Sequence, residues 1–88
     1  MTIFAIIVHQ GADVLQQEIE QRYSDKYYLP PSCWFVVDEG TSEEVGIKLR
    51  LKDGQLVGVQ AVIIPVSNYY GFAPSGLWEW IKSRRAKT

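Results

Sequence analysis

The sequence contains one cysteine, Cys33, and one histidine, His9. No intrachain disulfide can therefore form, and the usual Cys and His spacings of a zinc site cannot be met. Long apolar runs are absent too. The longest, residues 3–8 and 61–66, fall far short of the roughly 20 residues that cross a bilayer. Residues 3–8 are also too short and too β-branched for a signal-peptide core, and no basic stretch precedes them, so a cytoplasmic protein is expected. There is no Gly-x-Gly-x-x-Gly, no P-loop, and no Ser, Cys or Thr in a recognisable nucleophile frame. Internal repeats, low-complexity stretches and interdomain linkers are likewise missing.

What remains is an ordinary globular composition, 47% hydrophobic and 22% charged over 88 residues, enough for one core and too little for two. A single domain over 1–88 is expected, with 77–88 as a C-terminal helix and basic tail. Charge is divided unevenly. Residues 1–76 carry 5 basic and 9 acidic side chains, net −4, whereas residues 77–88 carry 4 and 1, net +3. A basic tail on an acidic body attracts a phosphate backbone or an acidic partner, or is simply solvated.

Residues 2–8 are β-branched or aromatic almost without break, the pattern of a central strand buried on both faces. After Gly11, Asp13 and Gln16 have capping-box spacing, and Leu15, Ile19 and Tyr23 form one apolar stripe of a three-turn helix. Pro30 and Pro31 restrict any strand at 27–29 to a short edge piece. Residues 33–38 read as a second strongly β-prone run, again apolar on both alternating faces. Thr41 and Glu44 make a clear capping box for a second helix, with Val45 and Leu49 inward, Gly46 as a weak point and Lys52-Asp53-Gly54 as the stop. Residues 56–66 predict a long strand, and Pro65 near its end suits an edge. An aromatic loop over 67–76 follows. Ser75 then caps a final helix through Lys82, with Leu77, Trp78 and Ile81 inward and Trp80 turned elsewhere.

This order predicts an α+β fold, a ferredoxin-like split β-α-β sandwich with an extra C-terminal helix. Both main helices would lie on one face of an antiparallel sheet. The strands, however, are apolar on both faces, so the second face needs its own cover. We expect a homodimer, with Phe4, Ile6, Trp34 and Val36 as interface candidates. The rival cover is the C-terminal helix itself.

Few residues invite chemistry. His9 stands where the first strand ends, a frequent place for catalytic groups, but a surface or capping histidine is the plainer reading. Asp38 and Glu39 could be paired carboxylates, though acids before a turn are usually solvated. Cys33 lies within an apolar strand, where a buried thiol is inert. Trp34, Tyr69, Tyr70, Phe72, Trp78 and Trp80 could stack on bases, against ordinary packing.

The opening Thr2-Ile3-Phe4-Ala5-Ile6-Ile7-Val8, the Trp34-Phe35-Val36-Val37 strand followed by Thr41-Ser42-Glu43-Glu44-Val45, and the closing Leu77-Trp78-Glu79-Trp80-Ile81 resemble the SinR-like short bacterial proteins. Those proteins are similar to the small ferredoxin-like subunit of the CRISPR adaptation complex. The resemblance implies homodimerisation and, in active members, metal-dependent nuclease activity with an aspartate at the end of the first strand. Val8-His9 stands here in place of the expected Tyr-Asp, so no catalytic residue, metal ligand or cofactor carries over. The expectation is a non-catalytic homodimeric interaction module that binds a protein or, weakly, a nucleic acid through Lys82, Arg84, Arg85 and Lys87. The alternatives are a divergent metal-dependent nuclease using His9 with Asp38, and a small-molecule-binding domain whose pocket is lined by the aromatic loop.

Overall fold

The computed structural model describes residues 1–52, 55–67, 71 and 74–85, the last without its side chain. Its elements run β1 (Thr2–Gln10), α1 (Ala12–Arg22), β2 (Lys26–Leu29), β3 (Cys33–Asp38), α2 (Ser42–Lys48), β4 (Gln60–Pro65) and α3 (Ser75–Arg85). The sheet order is β2-β3-β1-β4, with every neighbouring pair antiparallel. This is the ferredoxin-like arrangement with a helix added at the C-terminal end. As expected, β1 is central and the two proline-marked strands are edges; β3 takes the other central place.

The expected capping box at Thr41 forms: Glu44 N–H donates to the Thr41 hydroxyl, and Thr41 N–H donates to the Glu44 carboxylate. The one expected at Asp13 does not. The cap is Gly11 in the left-handed region, φ 78°, with no side-chain hydrogen bond, and Asp13 lies inside the first turn. A Cβ on Gly11 would stand 2.5 Å from the Gly58 carbonyl oxygen, so close backbone approach explains the glycine.

Helix α2 also ends earlier than Lys52-Asp53-Gly54, of which Asp53 and Gly54 lie outside the described residues. Leu51 N–H donates to Gly46 O and Arg50 N–H to Ile47 O, a Schellman ending with Arg50 at φ 60°. Strand β4 is shorter than the 56–66 pattern because Leu56 N–H turns back to Arg50 O and Val59 N–H to Leu56 O.

Phe4, Ile6, Val8, Trp34 and Val36 pack with Leu15, Ile19, Tyr23, Val45, Leu49 and Leu56 in the main core. This reverses the expected role of Phe4, Ile6, Trp34 and Val36. All four are buried beneath the chain's own helices, at 5% exposure or less, and cannot meet a second copy in the folded protein.

The second face carries the alternate residues. Helix α3 lies over part of it, with Ile3, Leu77, Trp80 and Ile81 buried against Tyr27, Leu29, Phe35, Val37 and Val66. Trp80 therefore points inward, contrary to expectation, and Trp78 is the partly buried one. The stripe is Leu77, Trp80, Ile81 and Arg84, spaced i, i+3, i+4, i+7 along one helix face.

Candidate functional site

Helix α3 covers the β2 and β3 side of the second face and leaves the β1–β4 margin open. Ile7, Val62 and Ile64 are 44%, 57% and 44% exposed. They are neighbours by register, since Ile7 stands opposite Val62 and Ala5 opposite Ile64. The result is a contiguous apolar strip beside an edge strand. Half-buried Cys33, opposite Ile7 on β3, borders it, and burial pushes its thiol pKa up, away from reactivity.

The two sheet edges differ. Strand β2 begins with Lys26, is followed by Pro30 and Pro31, and is flanked by α3 through a Tyr27–Trp80 ring contact of 6.2 Å. Strand β4, Gln-Ala-Val-Ile-Ile-Pro, carries no charge. Its only strand neighbour among the described residues is β1.

The basic residues expected to form a binding site are not equivalent. Lys82 is exposed. The Arg84 guanidinium donates to both Asp25 carboxylate oxygens, at 2.7 to 3.2 Å, and lies 4.7 Å over the Trp80 ring. It is engaged in holding α3 to the α1–β2 connection. The Arg85 side chain, Lys87, and the loop aromatics Tyr69, Tyr70 and Phe72 lie outside the described residues.

Asp38, expected as a solvated turn acid, is buried. Gly40 N–H donates to its Oδ1 at 2.7 Å, and the Tyr23 hydroxyl and Lys48 ammonium donate to Oδ2 at 2.7 and 2.8 Å. Burial pushes the carboxyl pKa up, but the hydrogen bonds from Lys48, Gly40 and Tyr23 outweigh it and hold the group below its ordinary value. Burial, then the bond to Asp38, raises the Tyr23 phenol far above its own. The cleft over this cluster, about 370 Å³, is lined by Arg22, Ser24, Asp25, Glu39 and Lys48 beside Tyr23 and Asp38. Donors from the end of α1, from the turn after β3 and from α2 converge on Asp38, so the cluster ties α1, β3 and α2 together.

The pairing of His9 with Asp38 fails on geometry. Asp38 stands opposite Thr2 on β1, and His9 is seven residues further along that strand, about 23 Å away at ~3.3 Å per residue. The two sit at opposite ends of the sheet. Among the described residues, no cluster of three His, Cys, Asp or Glu could hold a metal ion.

Sequence reasoning missed Ile7, Val62 and Ile64 because no polar residue marks which parity of the strands faces the helices. The Asp38 tie had no signal either, since Tyr23, Asp38 and Lys48 come from three elements. Comparison of the chain with protein-family models and with curated proteins gives no match to either.

Proposed function

We propose that the chain is a non-catalytic homodimeric interaction module that offers a partner its C-terminal basic region. The apolar strip of Ile7, Val62 and Ile64 carries this reading. Exposed apolar residues scattered singly need no explanation, but a contiguous set at an uncovered margin indicates an interaction surface. A second copy related by a twofold axis brings the two strips together, so one contact serves both chains. The resemblance to SinR-like proteins supports the same state.

The partner class is a protein or a weakly held nucleic acid. Lys82 is exposed on α3, and Arg85 and Lys87 follow it in sequence, while residues 1–76, at net −4, repel phosphate. Light scattering combined with the ratio of absorbance at 260 and 280 nm tests both halves. A mass of twice the 10.0 kDa chain supports the dimer, and a single-chain mass at micromolar concentration contradicts it. A raised ratio points to nucleic acid, whereas the ratio of bare protein leaves a protein partner.

A further inference from the structure

We propose that the two copies join edge to edge through β4, antiparallel, with Ile63 of each copy on the twofold axis, a pairing that rests on the homodimer reading above. The outward backbone groups of β4 set this pairing. Val66 N–H donates to Ile3 O at 2.8 Å, so Ile3 and Val66 are a hydrogen-bonded pair. Antiparallel ladders alternate, which makes Ala5–Ile64 and Ile7–Val62 hydrogen-bonded as well. The other side of β1 agrees, since Val8 N–H donates to Ser32 O, leaving even-numbered β1 residues to pair with β3. Residues 62 and 64 therefore turn their backbone toward β1. Ala61 and Ile63 turn theirs to the outer edge, which no strand among the described residues pairs, and Pro65 sits where its missing N–H would also face that edge.

An uncharged, apolar edge is a template for another strand unless it is guarded by charge, proline or a covering element. The β2 edge has all three guards; β4 has only Pro65, at its last position. A second copy fits this edge better than an unrelated strand because β4 is complementary to itself. With Ile63 opposite Ile63, the two exchange both N–H to O bonds, and each Ala61 N–H reaches the other copy's Pro65 carbonyl, which needs no N–H from proline. On the open face, Val62 then stands opposite Ile64 of the other copy, twice over. Shifting the register by one pair would set Ile64 against Gln60 in one direction, and in the other would set Ile63 against Pro65, which has no N–H to return. Edge pairing sets Val62 and Ile64 laterally against each other across the new ladder, whereas stacking the open faces would cover these side chains and Ile7 but leave both edges unpaired.

Single-cysteine variants Val62→Cys and Ile64→Cys, each made with Cys33→Ser, test the register. Val62 and Ile64 are exposed, so neither replacement disturbs the core. A non-hydrogen-bonded pair holds Cα atoms about 4.5 Å apart, within disulfide reach. On mild oxidation, the equilibrated mixture of the two variants should yield covalent dimer several-fold faster than either variant alone. If either variant cross-links with itself as readily, or the mixture fails to cross-link while light scattering still gives twice the chain mass, the edge pairing is wrong and the homodimer stands. A single-chain mass overturns both. Hydrogen exchange on the unmodified protein gives an independent reading: the outward amides of Ala61 and Ile63 should exchange as slowly as those of Val62 and Ile64, and fast exchange at Ile63 would overturn the pairing.

Discussion

The Tyr23 hydroxyl donates to Asp38 Oδ2 over 2.7 Å, joining the end of α1 to the end of β3. Both groups are buried, and their pKa values move apart, Asp38 down and Tyr23 up. Asp38 thus contributes stability that is present above its unfolded pKa of about 3.9 and is lost as pH falls through its lower folded value. Tyr23 contributes stability that is present below its unfolded pKa of about 10 and is lost as pH rises toward its higher folded value. Tyr23→Phe should cost roughly 1.5–3 kcal/mol at pH 7, the range for a hydrogen bond to a charged group, and should lessen the decline in stability above pH ~10. Urea unfolding at pH 7 and pH 10.5 measures both effects. An unchanged alkaline slope would show that Tyr23 does not titrate on unfolding.

Arg50 holds a left-handed backbone that glycine usually supplies, while its guanidinium grips buried Glu18 at 3.0 and 3.2 Å. Arg50→Ala loses the grip and keeps the strain; Arg50→Gly loses the grip and relieves it. The glycine variant should therefore be more stable than the alanine variant by about 1 kcal/mol, measured by denaturant unfolding. Equal stabilities would mean that φ at this position costs nothing.

Gly46 sits inside α2, and a Cβ there would meet only Ile63 Cδ1, at 3.6 Å, an ordinary contact. Gly46→Ala should stabilise the protein by roughly 0.5–1 kcal/mol through reduced unfolded-state freedom. A lower melting temperature in the variant would show that α2 needs the closer approach to β4.

Arg84 is committed to Asp25 and Trp80, so only Lys82, Arg85 and Lys87 remain for phosphate contacts. Three contacts limit the slope of log affinity against log salt to about −2 to −3. Lys82→Ala should weaken any nucleic-acid binding. Arg84→Ala should instead lower stability by roughly 1 kcal/mol, as expected for a part-buried ion pair that also lies over an aromatic ring. Filter binding across a salt series separates the two. A loss of binding in Arg84→Ala without loss of stability would return that residue to the phosphate site.

The fold was legible in the sequence where local signals and burial agreed. The β-branched runs of β1 and β3, the Thr41 capping box and the edge character that Pro65 gives β4 all appear in the structure. The site was less legible. With Phe4 and Ile6 as apolar as Ile3 and Ile7, strand alternation shows that two faces need covering without showing which one the helices take. The spacing of Leu77, Trp80, Ile81 and Arg84 did hold the signal that α3 folds back over the second face, in a stripe that ends on a cation. The partner of that cation, Asp25, lies 59 residues away, beyond any local pattern.

Homodimerisation is tested by the solution mass of the unmodified protein beside Val62→Lys, by light scattering from 1 to 100 µM. The charge falls on an exposed side chain and leaves the β1 ladder intact. We predict twice the 10.0 kDa chain mass for the parent and a shift to the single-chain mass for the variant. A parent that stays at the single-chain mass throughout would contradict the account.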